Sequence, residues 1–353
     1  LDGYRQGDLT IRINPEAPNL SAGTVQAGSA VSEEAGYQLL DGSAVPQPAG
    51  PVGSGFLSTQ HDTNMGKLIG KNCRANMFEC GGGVRGLVIR EAEALITIAG
   101  RSGSVLLANF EGVDLGSFVA KIYAAGGALV YATGDGITDQ KYMHLGSLVG
   151  WDYTGDLVER ALINLAVNVD DASIDSIDGH GMAAYLGSSG SAHLEVGRIK
   201  IRNTVKRGLY AAHLNRLVIG MLRLYNCGRG GAGVEPDASQ RAGLVVDGVA
   251  SMLVGQFVTE NTAGGIQPYA VYANASNVDL GRATVVGMAV DPAMIVTGAS
   301  TIIGDFTGLG TPEGVVSAGI GSTFRRLDGT PGNVLYVKEA GGPNVKTGWD
   351  PKD

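Results

Sequence analysis

Glu235, Asp237 and Glu260 are the carboxylates of this chain best spaced to work as a group. Cleaving a glycosidic bond takes two such groups, one to protonate the leaving oxygen and one to act as nucleophile or to activate water. They must stand about 5 to 5.5 Å or about 6.5 to 9.5 Å apart. A second acidic set, Asp170, Asp171, Asp175 and Asp178 with His180, offers the same chemistry. For either set the plainer alternative is a row of solvated loop carboxylates or of groups that hydrogen-bond a corner. Holding a sugar without cutting it needs flat apolar rings beside hydrogen-bonding groups. Tyr185, Tyr210, Tyr269 and Tyr272 supply such rings, as do Trp151 and Tyr153, and the same rings would also serve as core or subunit contacts.

Residues so far apart in sequence reach one surface only if the chain repeats, and it does. Leu194-Glu195-Val196-Gly197-Arg198-Ile199 recurs as Leu217 to Leu222, Met252 to Phe257 and Val278 to Ala283. Thr301 to Phe306 keeps the last two apolar slots and puts Thr in the first. Val113 to Phe118 and Met143 to Leu148 fit as well, and Ala172 to Ile177 fits with Asp175 in the glycine slot. The slot residues are 116, 146, 175, 197, 220, 255, 281 and 304, so successive copies lie 30, 29, 22, 23, 35, 26 and 23 residues apart.

The template alternates like a strand with one buried face, except that the next apolar residue follows the glycine by two positions and not one. A residue that shifts the phase marks a corner or bulge, where glycine accepts a left-handed or bent backbone. A third strand precedes each corner by 12 residues, beginning at Gly208, Gly243, Tyr269 and Pro292. Three short strands per repeat and no helical periodicity predict an all-β fold, a right-handed parallel β-helix.

In such a stack, carboxylates in one slot on adjacent coils lie about 5 Å apart and on alternate coils about 10 Å apart. The same stacking predicts an asparagine ladder of mutual amide hydrogen bonds at Asn203, Asn226 and Asn261, with Arg202, Tyr225 and Glu260 one slot earlier. One coil carries an insertion, Asn226 to Gln240, expected to project from the rod as solenoid binding loops do.

The 353 residues suit one elongated domain with appendages, and 56 glycines suit many tight corners. Residues 1–75 are expected to form an attachment or capping region, 76–310 the β-helix and 311–353 a C-terminal hairpin. A formal charge of −8 argues against nucleic acid as partner. Cys73, Cys80 and Cys227 have no metal spacing and cannot all pair, and five histidines show no paired ligand spacing, so neither metal nor cofactor is expected. Gly81, Gly83 and Gly86, and likewise Gly228, Gly230 and Gly233, match a nucleotide-loop pattern but lie outside any strand-to-helix turn. No apolar run reaches membrane-spanning length, and no signal peptide opens a chain that begins at Leu1.

Gly321 to Gly329, followed by Leu335 to Glu339 and Thr347-Gly348-Trp349, resembles a short module of bacteriophage tail fibres and tailspikes. Those proteins commonly couple it to a pectin-lyase-like β-helix. The resemblance implies a parallel homotrimer in a virion tail, assembled in the bacterial cytoplasm and acting outside the cell. It implies attachment to other tail or baseplate proteins through the N-terminal region and recognition of a bacterial surface polysaccharide. Some members cleave that glycan; for this chain adhesion to the polysaccharide is the expectation, with a depolymerase, hydrolase or lyase, as the first alternative and a structural virion part without ligand as the second.

Overall fold

A computed structural model describes residues 10–13, 23–24, 37–38, 56–58, 64–71, 76–80, 85–108, 110–133, 140–166, 169–187, 192–234, 237–262, 267–286, 294–297, 300–308, 310–314, 316–331, 334–342 and 345–352. It is a nearly all-β parallel solenoid of about 7 turns. The chain divides into two compact units, Leu1–Asp156 with Ala161–Ser176, and Leu157–Arg160 with Ile177–Asp353.

In the first unit the long strands Asn64–Lys71, Leu87–Ile96, Gly112–Ile122 and Gln140–Asp152 pair in parallel, with Met65, Ile89, Leu115 and Leu145 in one column. The short strands Phe78–Cys80, Val105–Ala108, Val130–Thr133 and Arg160–Ala166 form a second parallel sheet. In the second unit His193–Arg202, Arg216–Tyr225, Ser251–Glu260, Asn277–Val286 and Thr301–Gly308 make the long-strand sheet. Met182–Gly187, Leu209–Ala212, Leu244–Asp247, Val271–Asn274 and Met294–Thr297 make the short one.

The two arms flanking each glycine run through as a single strand, and the change of phase is real. Along Arg216–Tyr225, Leu217 and Ile219 are buried, Gly220 is exposed, and Leu222 and Leu224 are buried again. Each fully buried aliphatic side chain contributes about 1.5 to 3 kcal/mol of transfer free energy, so the alternation sets the register.

The reason for glycine differs from the expected one. Of the described slot glycines only Gly281 has a positive φ, 51°. At Gly146, Gly220 and Gly255 the constraint is the neighbouring coil: a Cβ would lie 2.0 Å from the Gly116 carbonyl oxygen, 2.6 Å from that of Gly197 and 2.8 Å from that of Gly220. At these three positions the carbonyl of the neighbouring coil occupies the space a side chain would need.

The register also corrects details of the repeat. Asn64–Lys71 pairs in parallel with Leu87–Ile96, and Thr10–Ile13 with Asn64–Lys71, so coil pairing begins inside residues 1–75. Gly66 and Arg90 fill the slot there, where Thr63 and an arginine disguise the template. Val271 and Met294, not Tyr269 and Pro292, align with the third strands that start near Gly208 and Gly243. In Thr301–Gly308 it is Ile302 that is buried, because the ladder shifts by one between Asp279 and Arg282. That shift explains the Thr in the first slot of this copy.

The start of the insertion, residues 228–230, folds back on the neighbouring coil, while Ala232, Gly233 and Asp237 are exposed. Gly228, Arg229 and Gly230 donate backbone N–H groups to Lys206, Thr204 and Val205 carbonyls at 2.5, 2.9 and 2.8 Å. Asn226, at φ 51°, turns the chain, and Cys227 is fully buried behind it. Burial pushes the Cys227 thiol up to about 12, which leaves it unreactive as a nucleophile near neutrality.

At the C-terminal end Thr323–Arg326 adds in parallel to Thr301–Gly308, then pairs antiparallel with Leu335–Lys338, which pairs antiparallel with Trp349–Lys352. Phe324 meets the edges of Tyr336 and Trp349 at 6.5 and 6.2 Å. The expected hairpin is thus a three-stranded meander built on the last long strand, the neighbour a small hairpin needs.

A graded substitution series tests the glycine column. Gly220→Ala, whose Cβ would lie 2.6 Å from a backbone oxygen, is expected to lose about 1 to 3 kcal/mol in a denaturant titration. Gly304→Ala, with its nearest neighbours at 3.2 Å, should lose clearly less. Equal losses would show that carbonyl approach is not the constraint.

Candidate functional site

Glu235 lies outside the described residues. Asp237 is exposed just ahead of the 3-10 turn Ala238–Arg241. Glu260, half-buried, ends the strand Ser251–Glu260 and stands in register with Tyr225, which stands in register with Arg202. In the second acidic set Asp170 and Asp171 lie in the strand Val169–His180, and Asp171 is exposed. Asp178 meets Arg202 at 3.4 Å, while Asp175 reaches His144.

The asparagine column is a column of corners. Gly181, Asn203 and Asn226 have φ of 73°, 57° and 51°, and each donates its backbone N–H to the next coil, at Arg202, Tyr225 and Glu260. Asparagine is the residue after glycine that tolerates this region. Asn261 takes the same step onto Val286. The amides of Asn203, Asn226 and Asn261 reach His180 at 3.0 Å, Thr262 at 3.3 Å and the Gln267 carbonyl at 3.5 Å.

Tyr185, Tyr210 and Tyr272 share one outward column of the short-strand sheet, with Val245 between the last two. Arg207 closes its upper part: the guanidinium lies 5.3 Å from the Tyr185 ring centre and 4.7 Å from that of Tyr210. Glu159 faces Arg207 at 3.6 Å and Lys206 at 3.5 Å. Burial, then the Glu159 carboxylate, hold the Tyr185 hydroxyl above its ordinary range; burial, then Asp247, do the same for Tyr210. These two rings are committed to a cation-centred cluster. Tyr272 sits lower, its hydroxyl 3.3 Å from Thr297, and Tyr269 is half-buried.

The open aromatic surface is elsewhere, in the first unit. Tyr123 and Tyr153 follow the ends of consecutive long strands, with N–H groups on the Ile96 and Ile122 carbonyls at 2.7 and 2.8 Å. Their rings stack at 4.7 Å with 13° between planes, yet they remain 52% and 51% exposed. Asp152 fixes the turn behind Tyr153 by accepting from the Thr154 N–H at 2.9 Å and its hydroxyl at 2.7 Å. Two residues earlier on each strand Lys121 and Trp151 stand side by side, and Lys121 also meets Glu93 at 3.5 Å. The result is an aromatic platform rimmed by hydroxyls, a cation and a carboxylate.

Compared with known proteins, the chain matches no family model, no curated protein and no solved structure.

Trp151 and Tyr153 were legible as candidates, but Tyr123 was missed. The signal was present: Tyr123 and Tyr153 each stand seven residues after a slot glycine, so the repeat already puts them in one column. The same arithmetic pairs Asp114 with His144, each two residues before a slot glycine. Among the described residues no group of three or more His, Cys, Asp or Glu is placed to hold a metal ion.

His144 Nδ1 lies 2.9 Å from Asp114 and Nε2 3.4 Å from Asp175, so one imidazole staples three coils of the first unit. Burial works to lower its pKa, but the hydrogen bonds and charges of the two carboxylates outweigh burial and leave it raised. A folded pKa above the unfolded one stabilises fully below about pH 6.5, and that stabilisation fades as the pH rises through the folded value. Wild-type denaturation midpoints are therefore expected to fall between about pH 6 and pH 8 relative to His144→Gln. A constant difference across that window would remove the staple.

Proposed function

We propose that the chain is part of a bacteriophage tail fibre or tailspike that holds a bacterial surface polysaccharide against the outside of its coils. The observation that carries this reading is the stacked, half-exposed Tyr123–Tyr153 pair beside Trp151 and Lys121. Half-exposed stacked rings are an unusual use of aromatic surface unless something flat and partly apolar covers them, and a sugar ring meets that description. The hydroxyls, Lys121 and Glu93 at the rim would select by hydrogen bonding. The module at 321–349 supports the tail-fibre assignment by its resemblance, as the solenoid supports it at the level of fold. In this reading the chain works as a homotrimer on the virion tail, joined to its neighbours through the N-terminal region. Adhesion is favoured over cleavage because the platform is open and aromatic, a surface for retention.

The purified full chain, incubated with capsule and lipopolysaccharide from candidate hosts, is expected to retain a polysaccharide without shortening it. Tyr123→Ala with Tyr153→Ala should weaken retention by roughly tenfold, the equivalent of about 1.4 kcal/mol, with an unchanged melting temperature. Unchanged retention in the double variant would sink the platform. Shortened product would favour a depolymerase, and Asp237→Asn would then be the variant to assay for lost turnover.

A further inference from the structure

In the second unit a trough with a volume near 500 Å³ lies on the outward face of the last long strands. One row across it is Gln256, Arg282, Asp305 and Thr323, aligned one per strand. The next row, two residues on, is Thr284, Thr307 and Arg325, with Leu335 beside Arg325 on the adjoining antiparallel strand. Adjacent strands are about 4.8 Å apart, so these side chains form a polar grid at the scale of a sugar ring.

The charges of the grid are unevenly satisfied. Asp305 accepts from the Thr323 hydroxyl at 2.6 Å. Neither the Arg282 nor the Arg325 side chain makes a hydrogen bond or ion pair among the described residues, although Arg85, Arg202, Arg207 and Arg326 each face a carboxylate. Two guanidiniums and one carboxylate leave the trough net positive on a chain of formal charge −8.

We propose that this trough binds a saccharide bearing a carboxylate, with Arg282 and Arg325 on the acid group and Asp305, Gln256 and the threonines on the hydroxyls. Guanidinium presents a planar fork that matches a carboxylate. A carboxylate that only accepts hydrogen bonds suits sugar hydroxyls, and it opposes a compact dianion such as phosphate, which would have to sit about one strand spacing from it. Leu335 offers an apolar patch for the C–H face of the ring. The site goes beyond the aromatic platform and shares no residue with it.

Calorimetric titration of the full chain with trimers of galacturonate, glucuronate and mannuronate, with the neutral hexose trimers and with inorganic phosphate tests the proposal. At least one uronate trimer is expected to bind about tenfold or more tightly than its neutral counterpart, and more weakly as salt is raised. Arg282→Ala and Arg325→Ala should each cost that complex about tenfold without moving the melting temperature. Tyr123→Ala with Tyr153→Ala should leave it unchanged, which separates failure of this site from failure of the platform. Absence of uronate binding, equal binding of acidic and neutral trimers, phosphate binding as tight as uronate, or indifference to both arginine substitutions would each overturn it.

Discussion

The solenoid depends on how closely the backbone of one coil lies on the next at the glycine slot. A carbonyl oxygen of the coil below stands where a Cβ would be, 2.6 Å away at Gly116 and 2.0 Å at Gly146. Parallel pairing matches N–H and C=O groups strand by strand, so a misfit at the slot would strain every pair along that strand. Asp175, which fills the slot in one coil of the first unit, has an exposed side chain that reaches His144. Arg90, Asp175 and Gly220 at the slot are all exposed, so a side chain accommodated there becomes a surface tie.

Corners solve the complementary problem of backbone groups that leave the sheets. His213, Gly248 and Ala275 all have positive φ after the short strand, and each donates its N–H to the following coil. Buried side chains finish the accounting. Ser276 accepts from the Val249 N–H at 3.0 Å, and Ser300 accepts from the Ser276 N–H at 2.9 Å. Gln267, fully buried, accepts from the Cys227 N–H at 3.0 Å and donates to Thr259 and the Tyr269 carbonyl. Unpaired groups in such places cost about 1 to 3 kcal/mol each, so polar residues inside a solenoid are structural before they are functional.

With the inward face and the corners committed, chemistry is left to the outward rows. The rows treat similar residues differently. Tyr185 and Tyr210 enclose Arg207, while Tyr123 and Tyr153 stack on each other and stay open. Arg207 faces Glu159, while Arg282 and Arg325 line a trough. Residue type alone does not separate these cases; the partner on the adjacent coil does.

From sequence alone the template determined the solenoid. Its period, its phase shift and the glycine at a fixed offset follow from local sterics and from which side chains must leave water, both of which are written residue by residue. The column of Tyr123 and Tyr153 was also written there, as a common offset from the slot. What tertiary structure decided was contact across coils: that the start of the insertion after Asn226 folds back on residues 204–206, that a one-residue shift brings Ile302 inward, and that Arg207 closes over Tyr185 and Tyr210. Those outcomes depend on connections whose lengths vary from coil to coil, and a repeat pattern carries no information about which side chains such connections bring together.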